Sequence, residues 1–121
     1  MKSRKHRDLL VWQRAVELVA DVYRLTAEFP DSERFGLAAQ MRRAAVSVPS
    51  NIAEGAARLS RKEFLRFLGI ARGSLSEVDT QLVVANTLGY VENGSVLEQN
   101  INDVFGLLNG LINSLKRSEA P

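Results

Sequence analysis

The strongest constraint on this chain is a run of apolar residues, Phe64, Leu68, Ala71, Leu75, Val78, Leu82 and Ala85, whose separations alternate between four and three without a break. Such alternation averages about 3.5 residues, close to the helical repeat of about 3.6, so all of these side chains fall on one stripe of a single long helix. A strand, with its period of two, would scatter them over both faces. Leu97, Ile101, Val104, Leu108, Leu111 and Leu115 repeat the rhythm. Each stripe needs another helix to cover it, and the short YVENG connection makes the two helices antiparallel neighbours.

The first half of the chain supplies the partners. Leu9, Trp12, Val16, Val19 and Tyr23 form one seam of a first helix, and Ala15, Leu18, Val22, Leu25 and Phe29 form a second. Gln13, Arg14, Glu17, Asp21, Arg24 and Glu28 crowd into the remaining narrow sector. A helix apolar over more than half its circumference has neighbours on two sides. Asp8 is the expected N-cap, and Phe29 followed by Pro30 the expected stop. A second helix is expected from about residues 32–35 to Arg58, with a seam of Leu37, Met41, Ala44, Val48 and Ile52.

The step from Val48 to Ile52 is a four where a three is due, a stutter at Pro49. A proline inside a helix removes an N–H and clashes with the carbonyl four residues back, at a cost of about 3 kcal/mol, so a kink is expected there. Ser47, Ser50 and Asn51 are the candidates to satisfy the carbonyl of Ala45. Ser60 with Glu63 and Ser95 with Glu98 read as capping boxes opening the third and fourth helices, and Gly89 as the stop of the third. The expected fold class is all-α: an antiparallel up-down-up-down four-helix bundle over residues 8–117, with a flexible basic arm at 1–7 and a tail at 118–121.

A chain of 121 residues is one domain by length and buries enough surface to fold without a metal or disulfide. It has no cysteine, which removes thiolate chemistry and fits a reducing compartment. The apolar stretch Leu9 to Trp12 is interrupted by Gln13, Arg14 and Glu17, too early for a secretory or membrane segment, so a soluble cytoplasmic protein is expected.

The net charge of +2 is unevenly distributed. Lys2, Arg4, Lys5 and Arg7 give the arm +4. Residues 34–72 carry eight basic side chains against Glu54 and Glu63, a local +6, whereas residues 8–33 and 73–121 each carry six acidic against two basic side chains, −4 apiece. A polyanion would meet the arm and the middle of the chain. Within the middle, Arg58, Arg61, Lys62 and Arg66 cluster at the second connection, with Arg42, Arg43 and Arg72 on the same stretch. Arg42, Arg43, Arg58, Arg61, Lys62 and Arg66 are the candidate nucleic-acid-binding residues, contacting the RNA or DNA backbone and not its sequence, because Phe64 and Phe67 point toward the core and offer no stacking platform.

A second constellation runs along helix 2. At 100° per residue Arg43, Ser47, Asn51, Glu54 and Arg58 share a face, joined by Ser74 and Glu77 of helix 3. Solvated helix faces favour Lys, Glu and Gln over Ser and Asn. Two readings stay open: a hydrogen-bonded network buried between helices or subunits, or the lining of an exposed groove that recognises a partner. Enzyme chemistry has little to work with. His6 is the sole histidine and lies in the arm, so no Ser-His-Asp site or histidine-bearing di-iron site is available. Glu54, Glu63 and Glu77 are expected to pair with Arg43, Arg58 or Arg66, and no metal or cofactor is expected.

The strings DLLVWQRAVELV, FPDSERFGLAAQMRRAAVSVPSNIAEGAAR and KEFLRFLGIARGSLSEVDTQL resemble the bacterial four-helix-bundle family first named for proteins encoded in intervening sequences of large-subunit ribosomal RNA genes. The resemblance covers the body from Asp8 to about Leu115. It implies a homopentameric ring of short bundles, similar to the accessory pentamers of diversity-generating retroelements, which engage nucleic acid and a reverse transcriptase. The small outer residues Val46, Pro49, Ala53 and Ala57 of helix 2 and the doubled seam of helix 1 suit such an assembly. The function expected is a non-enzymatic homo-oligomer presenting basic surface to nucleic acid or a nucleic-acid enzyme; the alternative is a protein-protein adaptor without nucleic-acid binding.

Overall fold

The computed structural model describes residues 5–118. Within them the chain forms four helices, α1 (Leu10–Thr26), α2 (Leu37–Ala56), α3 (Arg61–Thr87) and α4 (Ser95–Arg117), with 3-10 turns at Lys5–Asp8 and Asp31–Glu33. No strand occurs among the described residues. α1 packs on α2 and α4, and α3 packs on the same two helices, so α1 lies diagonal to α3 and α2 to α4. This square of four antiparallel helices is the bundle the seams require.

The seams reach the core as patterned. Leu68, Ala71, Leu75, Val78, Leu82 and Ala85 of α3 are buried, and so are Leu97, Ile101, Val104 and Leu108 of α4. Toward its C-terminus α4 buries Ile112, while Leu111 and Leu115 pack only partly against the core. The cause is the drift of a straight helix against a strict 3.5 repeat. In α1 the seam of Ala15, Leu18 and Val22, with Val11 and the following Phe29, is buried, whereas the other seam is divided: Leu9, Trp12 and Val19 pack partly against the core, and Val16 and Tyr23 are exposed.

The element ends depart from the sequence reading in three places. Asp8 does not cap α1; it closes the 3-10 turn, and Leu9 occupies the N-cap position without a side-chain bond. Of the expected flexible arm, residues 1–4 lie outside the described residues, while Lys5, His6 and Arg7 belong to that turn, with the His6 ring 5.0 Å from Trp12 in an edge contact. Residues 119–121 of the tail also lie outside. Ser95 is not an N-cap: Gly94 holds that position, and Ser95 N donates to Asn93 Oδ1 at 3.1 Å. An Asx side chain reaching forward two residues has displaced the expected capping box.

The other ends follow the expected chemistry. Glu63 N donates to Ser60 Oγ at 3.1 Å, opening α3. At its far end Gly89 takes a φ of 77°, Gly89 N donates to Asn86 O and Tyr90 N to Ala85 O. This paired 5→2 and 6→1 arrangement is a Schellman stop, for which glycine is the residue without a Cβ penalty.

α2 continues as one helix through Pro49, whose side chain is buried. Asn51 does not serve the Ala45 carbonyl. Its Nδ2 donates instead to Ser47 O at 2.8 Å and Ser47 Oγ at 2.9 Å. Against α3 the helix comes close at Gly55, where a Cβ would lie 2.8 Å from Phe67 Cβ and 3.0 Å from Phe64 Cδ1. That contact fixes the α2–α3 spacing beside the basic connection.

Candidate nucleic-acid interface

The basic residues that are neighbours in sequence separate into two groups in space. Arg58, Arg61, Lys62 and Arg66 surround the α2–α3 connection. Arg42 and Arg43 sit near the opposite end of α2, about 22 Å away at 1.5 Å per residue. Antiparallel topology brings other charges to the first group: the Lys5–Asp8 turn precedes α1 at the end where α2 finishes, and Lys116 and Arg117 close α4 there. One end of the bundle therefore collects Lys5, Arg7, Lys116 and Arg117 beside the connection. Periodicity within single helices carried no sign of this gathering, which depends on topology.

At this end Arg58 donates to Glu54 Oε1 at 3.0 Å, and its guanidinium lies 4.9 Å from the Phe67 ring centre. Arg66 stands 3.8 Å from Glu63 and 5.1 Å from the same ring. Phe67 is buried, so the two guanidiniums form a lid over it and their charge is partly balanced by neighbouring carboxylates. Arg61 and Lys62 are exposed, with no ion pair among the described residues. They are the most available cations of the group.

Arg42 has a different task. Its Nε donates to Thr26 Oγ1 at 2.8 Å and its Nη2 to Tyr23 O at 3.3 Å, with the guanidinium 4.5 Å from the Tyr23 ring centre. A cation on the last turn of α1 satisfies its terminal carbonyls and meets the negative end of the helix dipole. Arg72 donates to Asn109 Oδ1 at 3.0 Å and so ties α3 to α4. Neither belongs to the basic end.

The polar stripe also divides. Its centre is Ser47, Asn51 and Ser74, where α2 meets α3: the Ser47 and Ser74 hydroxyls lie 2.9 Å apart, and Ser74 is buried. Because Asn51 donates to Ser47 Oγ, that oxygen accepts from one side and its proton is available to Ser74 on the other. Gln81, two turns beyond Ser74, buries its Oε1 without a hydrogen-bond partner among the described residues. Glu54 and Arg58 form an exposed pair, Arg43 is exposed, and Glu77 is exposed outside the hydrogen-bonded centre.

Among the described residues no group of three or more His, Asp or Glu side chains could hold a metal ion. No helix of the described residues is long and apolar enough to cross a membrane. A family model described as 23S rRNA-intervening sequence protein matches residues 7–110. No curated protein matches the chain.

Proposed function

Because the chain belongs to the 23S rRNA-intervening sequence protein family, we propose that it is a non-enzymatic, cytoplasmic assembly protein whose basic end meets the phosphate backbone of RNA or DNA, alone or in the grip of a nucleic-acid enzyme. The observation that carries this reading is the exposed, unpaired state of Arg61 and Lys62 beside Arg58 and Arg66, at the end that also holds Lys5, Arg7, Lys116 and Arg117. Neutralising phosphates releases counterions, so such binding falls steeply with salt and depends little on sequence. Self-association into a ring of about five chains, the assembly implied by the resemblance, would multiply each copy's contribution. The exposed Val16 and Tyr23 of α1 support self-association.

The test is fluorescence anisotropy with labelled single-stranded RNA, single-stranded DNA and duplex DNA at about 50 and about 200 mM salt. Binding is expected at low salt on all three probes, with at least a tenfold loss at high salt. Reversal of Arg61, Lys62 and Arg66 to glutamate should weaken it at least tenfold while helical content and particle mass stay unchanged; deletion of residues 1–7 should weaken it less. Absence of low-salt binding by intact oligomers, or affinity that survives both changes, would give precedence to a protein-binding adaptor.

A further inference from the structure

Amid the cations of the basic end stands one apolar side chain. Leu59, in the connection between α2 and α3, is 105% exposed, more than any other large hydrophobic side chain among the described residues. The backbone fixes its place from both sides. Before it, Arg58 N donates to Gly55 O at 3.1 Å. After it, Ser60 Oγ accepts from Glu63 N at 3.1 Å, and Ser60 O accepts from Phe64 N at 3.1 Å. Gly55 is itself pressed against Phe64 and Phe67. Leu59 is therefore presented by a short connection tied at each end, and little ordering is left for the moment of binding.

Cations flank it along the chain. Arg58 precedes Leu59 directly, and Arg61 and Lys62 follow within three residues, a span of at most about 11 Å. Arg61 and Lys62 are exposed and have no ion pair among the described residues. This surrounding decides what the leucine can meet. A protein partner needs a contact of about 800 Å² on each side with an apolar centre, and here a single leucine stands among charges. A lipid surface gains little from it, since even a whole myristoyl chain gives only marginal, reversible anchoring. A base step asks for less: one apolar side chain enters between two bases and takes over their stacking contact, while cations on either side meet the flanking phosphates.

We propose that Leu59 is a wedge for an opened base step of RNA or DNA, such as a bulge, and that Arg61 and Lys62, with Arg58, hold the phosphates beside it. The proposal rests on the backbone-binding reading above and adds to it a preference for the state of the strand. Prising apart two stacked bases of an intact duplex costs free energy, and that cost is absent where stacking is already interrupted. The basic end therefore selects nucleic acid by interrupted stacking. It does not select by base identity, because a leucine has no hydrogen-bonding group with which to read a base edge.

The experiment measures fluorescence anisotropy at about 50 mM salt on two labelled duplexes of one sequence, uninterrupted or carrying a single bulged nucleotide, with wild type, Leu59→Ala and Leu59→Phe. Circular dichroism is the folding control, which a fully exposed position should pass. Wild type should bind the bulged duplex about tenfold more tightly than the uninterrupted one. Leu59→Ala should lose most of that difference while its affinity for the uninterrupted duplex and its salt dependence stay unchanged, since no phosphate contact is removed; Leu59→Phe should keep the difference. As a second readout, 2-aminopurine placed beside the bulge should brighten when wild type unstacks it and stay dim with Leu59→Ala, a signal that a merely structural role of Leu59 would not give. Equal affinity of wild type for the two duplexes, or a preference that survives Leu59→Ala, would overturn the wedge and leave backbone binding standing. So would a loss in Leu59→Ala that is equal on both duplexes. Binding to phosphatidylserine vesicles that is lost in Leu59→Ala, with both duplexes bound as by wild type, would assign the leucine to a lipid surface instead. Absence of binding to either duplex and to the single strands would overturn both readings.

Discussion

The two ends of the bundle are held together by different means. Where α1 passes to α2 and α3 to α4, side chains far apart in sequence bind each other: Tyr90 donates to Glu33 Oε2 at 2.8 Å, Phe29 packs on Tyr90, Arg42 holds the last turn of α1, and Asn100 donates to Asp21. At the basic end Arg58 and Arg66 make local ion pairs, with Glu54 and Glu63, and α2 and α3 are joined by the close approach of Gly55 to Phe64 and Phe67. Long-range hydrogen bonds consume donors and acceptors. An end closed by packing leaves its charges available, which is the condition for meeting a polyanion.

The largest expected effect comes from attacking the packed contact. Gly55→Val introduces a Cβ 2.8 Å from Phe67 Cβ and 3.3 Å from the Phe64 carbonyl oxygen, and the backbone atom cannot swing aside. Overpacking of this kind costs about 1–3 kcal/mol, toward the upper end for a branched side chain. Thermal unfolding should show a lower midpoint, and nucleic-acid affinity should fall with it, because the α2–α3 connection would be displaced. A valine tolerated within about 0.5 kcal/mol would mean that the basic end is not set by this approach.

A smaller loss is expected at the tied end from Glu33→Ala. Glu33 Oε1 accepts from Leu37 N at 3.1 Å, so the carboxylate caps α2 from a turn outside it. Gly36 makes room for that cap, since a Cβ there would lie 2.6 Å from Glu33 Oε1. Removing a cap costs about 1 kcal/mol, measurable by urea unfolding, and nucleic-acid affinity should be unchanged. The contrast with Gly55→Val is the informative quantity. Equal losses of affinity in the two variants would show that stability, and not the placement of the basic end, governs binding.

Glu33 also illustrates what the sequence could and could not disclose. Periodic seams located the four helices and nearly all of the core, because burial on one face follows directly from spacing. Ser60 and Gly89 were legible as a start and a stop, since each acts on backbone within a few residues of itself. Glu33 was not: its partners include a backbone N–H four residues on and a tyrosine 57 residues away. The stripe on α2 was visible as a face, but only the pairing with Ser74 separates its buried centre from the exposed Glu54 and Arg43. Likewise Arg42 and Arg58 look alike in a charge count, although the length of α2 holds them at opposite ends. Local order is written in the sequence; which distant groups meet is decided by packing.

The smallest effect, and the most specific to the tied end, is a pH dependence at Tyr90. Its hydroxyl pKa is raised from the ordinary 10.0, first because the Glu33 carboxylate holds its proton, then through burial and the repulsion of the neighbouring negative charge. A raised folded-state pKa contributes stability that is fully present below the unfolded value and is lost as pH rises through the folded one. From neutral pH to about 9 this contribution should therefore be constant, and it should decline only above about 10, the ordinary tyrosine value. Tyr90→Phe removes the proton and the hydrogen bond together. Urea midpoints of the variant should lie slightly below wild type at neutral pH and converge on it under alkaline conditions. The absence of any gap at neutral pH would mean that Tyr90 acts through its ring on Phe29, which phenylalanine keeps, and that the hydrogen bond to Glu33 adds nothing to the tie.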